Sequence, residues 1–76
     1  MALKRADLTG VKNGVNTTFT LPDLPLANSE VIIFNTSALY KVVVSPGVTQ
    51  YTLSGQTVTL GLAPASTDDL WAYYEI

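Results

Sequence analysis

The sequence predicts an all-β fold: a small antiparallel β-sandwich or flattened barrel of six to seven short strands, forming a single β domain over residues 1–76. Three observations predict it. Turn signatures recur at short spacing, at Lys12-Asn13-Gly14-Val15-Asn16, Pro22 to Pro25, Asn35-Thr36-Ser37, Ser45-Pro46-Gly47, Ser54-Gly55 and Pro64 to Asp69. The runs between them are rich in Val, Ile, Thr, Phe and Tyr and too short for helices. Several of those runs alternate apolar and polar residues with a period of two, the mark of a half-buried strand.

Residues 1–5 read as an N-terminal arm, which extends to residue 7 at most, and residues 6–11 as a first short strand. Residues 17–21 alternate, with Phe19 and Leu21 on one face and Thr18 and Thr20 on the other. Pro22 ends that strand, because proline cannot donate to a ladder, and residues 22–29 become a crossing connection whose Leu24 and Leu26 cap the core. Residues 30–35 and 38–44 flank a short polar turn and are expected to pair as a hairpin. Ile32 and Phe34 share one face there and Val31 and Ile33 the other, so both faces are apolar and both need cover, from a second sheet and an arm or from a neighbouring subunit. Residues 50–53 and 56–60 flank Ser54-Gly55, where glycine supplies the positive φ of a tight hairpin turn. The last strand, residues 70–76, puts Leu70, Ala72, Tyr74 and Ile76 toward the core and Trp71, Tyr73 and Glu75 on the opposite face.

Composition narrows the class of function. A chain of 76 residues buries only a thin core of its own, and it has no Cys or His to supply disulfides, a thiolate or the commonest zinc ligand. Hydrophobic residues make up 47% against 13% charged, an apolar balance that implies surface awaiting a partner. The net charge of −2 offers no basic footprint for nucleic acid, and no run approaches the length of a membrane helix. Lys4 and Arg5 are followed by an apolar run broken at Asp7, Thr9 and Gly10, which does not read as a secretory leader. Absence of Cys fits synthesis in a reducing cytoplasm.

No catalytic, cofactor-binding or metal-binding residue is assigned, and the expectation is a protein that is not an enzyme. Without His or Cys no triad can form, and Lys4, Lys12 and Lys41 read as solvated. Asp68-Asp69, with Asp23 and Glu75, reads as turn and strand-end acidity rather than a calcium loop or a glycosidase pair. The residues singled out are the aromatics Trp71, Tyr73 and Tyr40 with Val31 and Ile33. They form an interface or fill the second face of a sandwich, and the aromatics alternatively make a stacking platform for sugars.

The order Gly10-x-x-Asn13-Gly14-x-Asn16-x-x-Phe19-Thr20-Leu21-Pro22, then Tyr51-Thr52-Leu53-Ser54-Gly55-x-Thr57-Val58-Thr59-Leu60, then Ala63-Pro64 and Asp69-Leu70-Trp71-Ala72-Tyr73, resembles a small β module of tailed-bacteriophage virion structural proteins. The middle departs from that module, with Asn35-Thr36-Ser37 followed by apolar Ala38-Leu39-Tyr40 where the module carries a polar stretch. The resemblance implies a virion structural protein made in the host cytoplasm: a capsid decoration or cement protein, or a neck, tail or fibre component. As a free-standing unit it suits an accessory protein that docks on other virion proteins and forms a homo-oligomer, a trimer among the symmetric options. The alternative is a small carbohydrate- or cell-surface-binding module. Neither reading calls for a cofactor, nucleic acid or a membrane.

Overall fold

The computed structural model describes residues 3–76. Among the described residues the β-branched and aromatic runs form eight strands and no helix: β1 (Leu3–Asp7), β2 (Thr18–Thr20), β3 (Val31–Phe34), β4 (Ser37–Ala38), β5 (Tyr40–Lys41), β6 (Gln50–Ser54), β7 (Thr57–Leu60) and β8 (Leu70–Glu75). They make two four-stranded sheets, ordered β1-β8-β3-β4 and β2-β7-β6-β5. All pairings are antiparallel except β5 with β6, which is parallel. The chain crosses between sheets at β1–β2, β2–β3, β4–β5 and β7–β8, so sequence neighbours often face one another across the core.

The first strand lies earlier than the expected 6–11, where beyond Asp7 only Thr9 keeps a bridge, to Thr20, and the eighth strand comes from a split of the expected 38–44 strand. Leu3–Asp7, in the segment expected as an arm, is a full edge strand paired along its length with β8, Leu3 opposite Glu75 and Asp7 opposite Trp71. Met1 and Ala2, the start of that expected arm, lie outside the described residues. The long second arm of the expected 30–44 hairpin is broken at Leu39, whose N–H still bonds the Ile32 carbonyl at 2.9 Å while the next amide, Tyr40, bonds the carbonyl of Thr49, just before β6 of the other sheet, at 2.9 Å. One residue therefore switches the strand from one sheet to the other. Leu39 packs against the core from that corner, and Val43 and Val44 end in an exposed loop instead of a strand.

The core is built as period two requires. Phe19 and Leu21 from the β2 segment, Ile32 from β3, Tyr51 from β6, Val58 and Leu60 from β7, and Leu70, Ala72 and Tyr74 from β8 are buried together with Leu8. Ile76 was expected in this row, but β8 ends at Glu75 and Ile76 is 45% exposed. Leu24 and Leu26 do not cap the core either. Both are exposed, because the 21–30 connection is held by polar ties to the end of β8, Leu26 N–H to the Glu75 carbonyl at 2.8 Å and Glu75 N–H to Ser29 Oγ at 3.1 Å. The β6–β7 hairpin closes as expected: Gly55 takes φ 60 and Gln56 stays at negative φ, the pattern of a type II′ turn that matches strand twist.

The turn residues between Gly10 and Asn16 mostly build this scaffold. Asn13 Oδ1 accepts the Val15 and Asn16 amides at 2.9 and 2.8 Å, and the Asn16 side chain bonds Val11 and Thr18 carbonyls, so the two asparagines shape the loop entering β2. Gly10 sits at φ 154 with the Phe19 ring where a Cβ would fall. Gly14 N–H bonds the Pro64 carbonyl at 2.8 Å, tying the first motif to the Ala63-Pro64 segment.

Candidate functional site: the outer face of the β8 sheet

Because β8 is central in its sheet and Leu70, Ala72 and Tyr74 face inward, Trp71, Tyr73 and Glu75 must face outward. On β3 the same parity turns Val31, half-buried, and Ile33, already buried within the chain, to that side, and the register sets Val31 opposite Tyr73 and Ile33 opposite Trp71. On β1 it sends Leu3, Arg5 and Asp7 outward, with Arg5 opposite Tyr73 and Asp7 opposite Trp71. Four of the five interface residues singled out in the sequence thus form one aromatic and aliphatic strip. Tyr40 does not join them. It stands on β5, in the other sheet, 69% exposed beside the loop that carries exposed Val43, Val44 and Val48.

Within the strip the Trp71 and Tyr73 rings lie 5.9 Å apart, tilted by 37°. The Arg5 guanidinium rests 4.0 Å from the centre of the indole, from the diagonal position on β1, a cation–π contact that occupies that face of Trp71. Beside it a cleft of about 330 Å³ is lined by Arg5, Asp7, Lys12, Asp69 and Trp71, with Leu8 and Leu70. Lys12 donates from Nζ to the Asp68 carbonyl at 2.6 Å, so it braces the β7–β8 loop.

The acidic residues are structural in geometry. Asp68 Oδ2 accepts the Ala65 amide at 2.8 Å and closes the turn, and Asn35 locks to it, its Oδ1 accepting the Asp69 amide at 2.9 Å. Asn35 takes φ 56, a left-handed conformation that asparagine tolerates. Among the described residues no three Asp, Glu, His or Cys side chains gather in a way that could hold a metal ion.

Two polar constellations escaped sequence reasoning. At one end of the sandwich Asp23 Oδ2 takes both the Lys4 ammonium and the Tyr74 hydroxyl, the latter at 2.9 Å. The Lys4 hydrogen bond, then that of Tyr74, holds the Asp23 carboxyl below its ordinary range, and the same bond raises Lys4. Burial first, then Asp23, raises the Tyr74 phenol. At the other constellation Glu30, its side chain 1% exposed, accepts on Oε2 from Tyr51 OH at 2.9 Å and pairs with Lys41 Nζ at 3.0 Å, while Oε1 is buried without a partner. Burial, then Glu30, pushes the Tyr51 phenol well above its usual value. A signal for Glu30 was present: it shares parity with Ile32 and Phe34, so it had to face inward at the head of β3. Lys4, Lys12 and Lys41, expected to be solvated, are each bonded to another part of the chain.

No family model, no curated protein and no solved structure matches this chain.

Proposed function

We propose that this chain is a non-enzymatic structural protein of a tailed-phage virion, a capsid decoration or cement protein or a neck or tail accessory. It works by self-association and by docking on other virion proteins. The observation that carries the reading is the strip of Val31, Ile33, Trp71 and Tyr73, in register on the outer face of a sheet whose inner face already fills the core. Large aromatics on a rigid central strand give contact area at little entropic cost, the property of interface anchors. The module resemblance from Gly10 to Tyr73 supports the virion setting, and the small core without Cys supports stabilisation by assembly.

The sugar-binding alternative rests on Trp71 and the flanking carboxylates Asp7 and Asp69 in the cleft. Arg5 argues against it, since its guanidinium already covers the indole face that a pyranose would stack on.

The test has two arms. Phage particles released from the host culture and banded by density should contain the chain in fixed stoichiometry; its absence from purified particles refutes the reading. Trp71→Ala should leave the β circular-dichroism spectrum intact and weaken particle binding by about 2 kcal/mol or more, whereas Tyr74→Ala should cost the domain itself about 3 kcal/mol or more. A saturable response of Trp71 fluorescence to sugars would move the assignment to the alternative.

A further inference from the structure

We infer that two copies of this chain pair through β1, antiparallel about a two-fold axis at Ala6, so that the two β8 sheets join into one continuous sheet. The inference deepens the assembly reading above and rests on its premise that the chain self-associates. It is carried by the edge and by its charge pattern. β1 has β8 on one side only, and among the described residues no backbone group of Leu3–Asp7 bonds to anything on the other side. The other edges are closed or short: Thr9 pairs with Thr20 against β2, and β4 and β5 are two residues each. An open edge of five residues is a template for another strand.

The occupant follows from self-complementarity. A two-fold axis perpendicular to the sheet must pass between a residue and its own copy, so few registers exist. Centring on Lys4, Arg5 or Asp7 sets that charge directly against itself. Centring on Ala6 sets Ala6 against Ala6 and Arg5 against the second copy's Asp7, twice, both pairs on the outward face beside Trp71. The inward row then carries Lys4, which Asp23 already neutralises. Charged residues commonly protect an edge by repelling copies of themselves; of the registers centred on a β1 residue, those on Leu3 and Ala6 avoid setting a charge against its like, and only the one on Ala6 sets opposite charges of β1 against each other.

Reciprocal charge reversal tests this. Sedimentation of the wild-type chain should give a dimer with a micromolar dissociation constant. Arg5→Asp alone places Asp against Asp, and Asp7→Arg alone places Arg against Arg, so each variant by itself should dimerise about tenfold or more weaker. An equimolar mixture of the two variants restores opposite charges at every pair and should recover the dimer as a heterodimer. Circular dichroism on each variant confirms that the fold survives, since Arg5 also contacts Trp71. A monomeric wild type, or single variants that dimerise unchanged, or a mixture that stays monomeric, each overturns the inference. An oligomer abolished by Trp71→Ala but indifferent to charge reversal overturns the β1 edge and leaves the virion reading standing. A charge-dependent dimer absent from purified particles does the reverse.

Discussion

Replacing Lys41 by methionine isolates the most exacting feature of the interior. Glu30 is enclosed, one of its oxygens has no partner, and the other depends on Lys41 and Tyr51. Lys41→Met keeps the aliphatic stem over the β5 edge and removes only the ammonium, which leaves a buried carboxylate with a single hydrogen bond. Stripping one partner from a buried ion pair costs about 3–5 kcal/mol. The Lys41 side chain is 40% exposed, so water screens part of the pair, and the expected loss is about 2–3 kcal/mol. For a domain of this size that is roughly 10–20 °C in Tm. Urea unfolding followed by circular dichroism and by Trp71 fluorescence measures it. Combining Lys41→Met with Glu30→Leu and Tyr51→Phe removes every member of the network and should return stability to within about 1.5 kcal/mol of the wild type, because an apolar replacement leaves nothing unpaired. A loss under about 0.5 kcal/mol in the single variant, the range of ordinary surface changes, would refute the reasoning. So would a triple variant no more stable than the single one.

The Asp23 and tyrosine ties set a pH profile. Asp23 is held low, so the stability it adds is present above its ordinary 3.8 and is lost as pH falls through the folded value below that; Asp23→Asn should flatten the acid limb of a plot of Tm against pH. Tyr51 and Tyr74 are held high, so their contribution is complete below 10.0 and is lost as pH rises beyond it; Tyr51→Phe should flatten the alkaline limb. Gly10→Ala drives a Cβ into the Phe19 ring at a φ that L-residues rarely adopt, and chemical denaturation should show a loss of about 1–3 kcal/mol.

Periodicity located the inward row Leu70, Ala72 and Tyr74 and the outward placement of Trp71 and Tyr73, because a strand that is half buried writes its two faces into alternate residues; the β class and the 50–60 hairpin needed the turn signatures and the β-rich runs as well. Turn chemistry did the same for Asn13-Gly14 and Ser54-Gly55, where the residue type answers a local backbone demand. Tertiary structure decided what depends on residues distant in sequence. Leu39 became a corner because Tyr51 of β6 and Thr49 just before it offered backbone carbonyls on the other sheet's side, and local sequence holds no trace of that competition. The leucines at 24 and 26 lost the core to Leu21 because the connection is anchored at Glu75. Glu30 had its direction fixed by parity, but its tolerance inside depended on Tyr51 and Lys41 arriving from β6 and β5. Val31, Ile33, Trp71 and Tyr73 became one surface, and Tyr40 stayed off it, only when β8 inserted between β1 and β3: adjacency in a sheet is a property of strand order, and strand order is set by the packing of the whole chain.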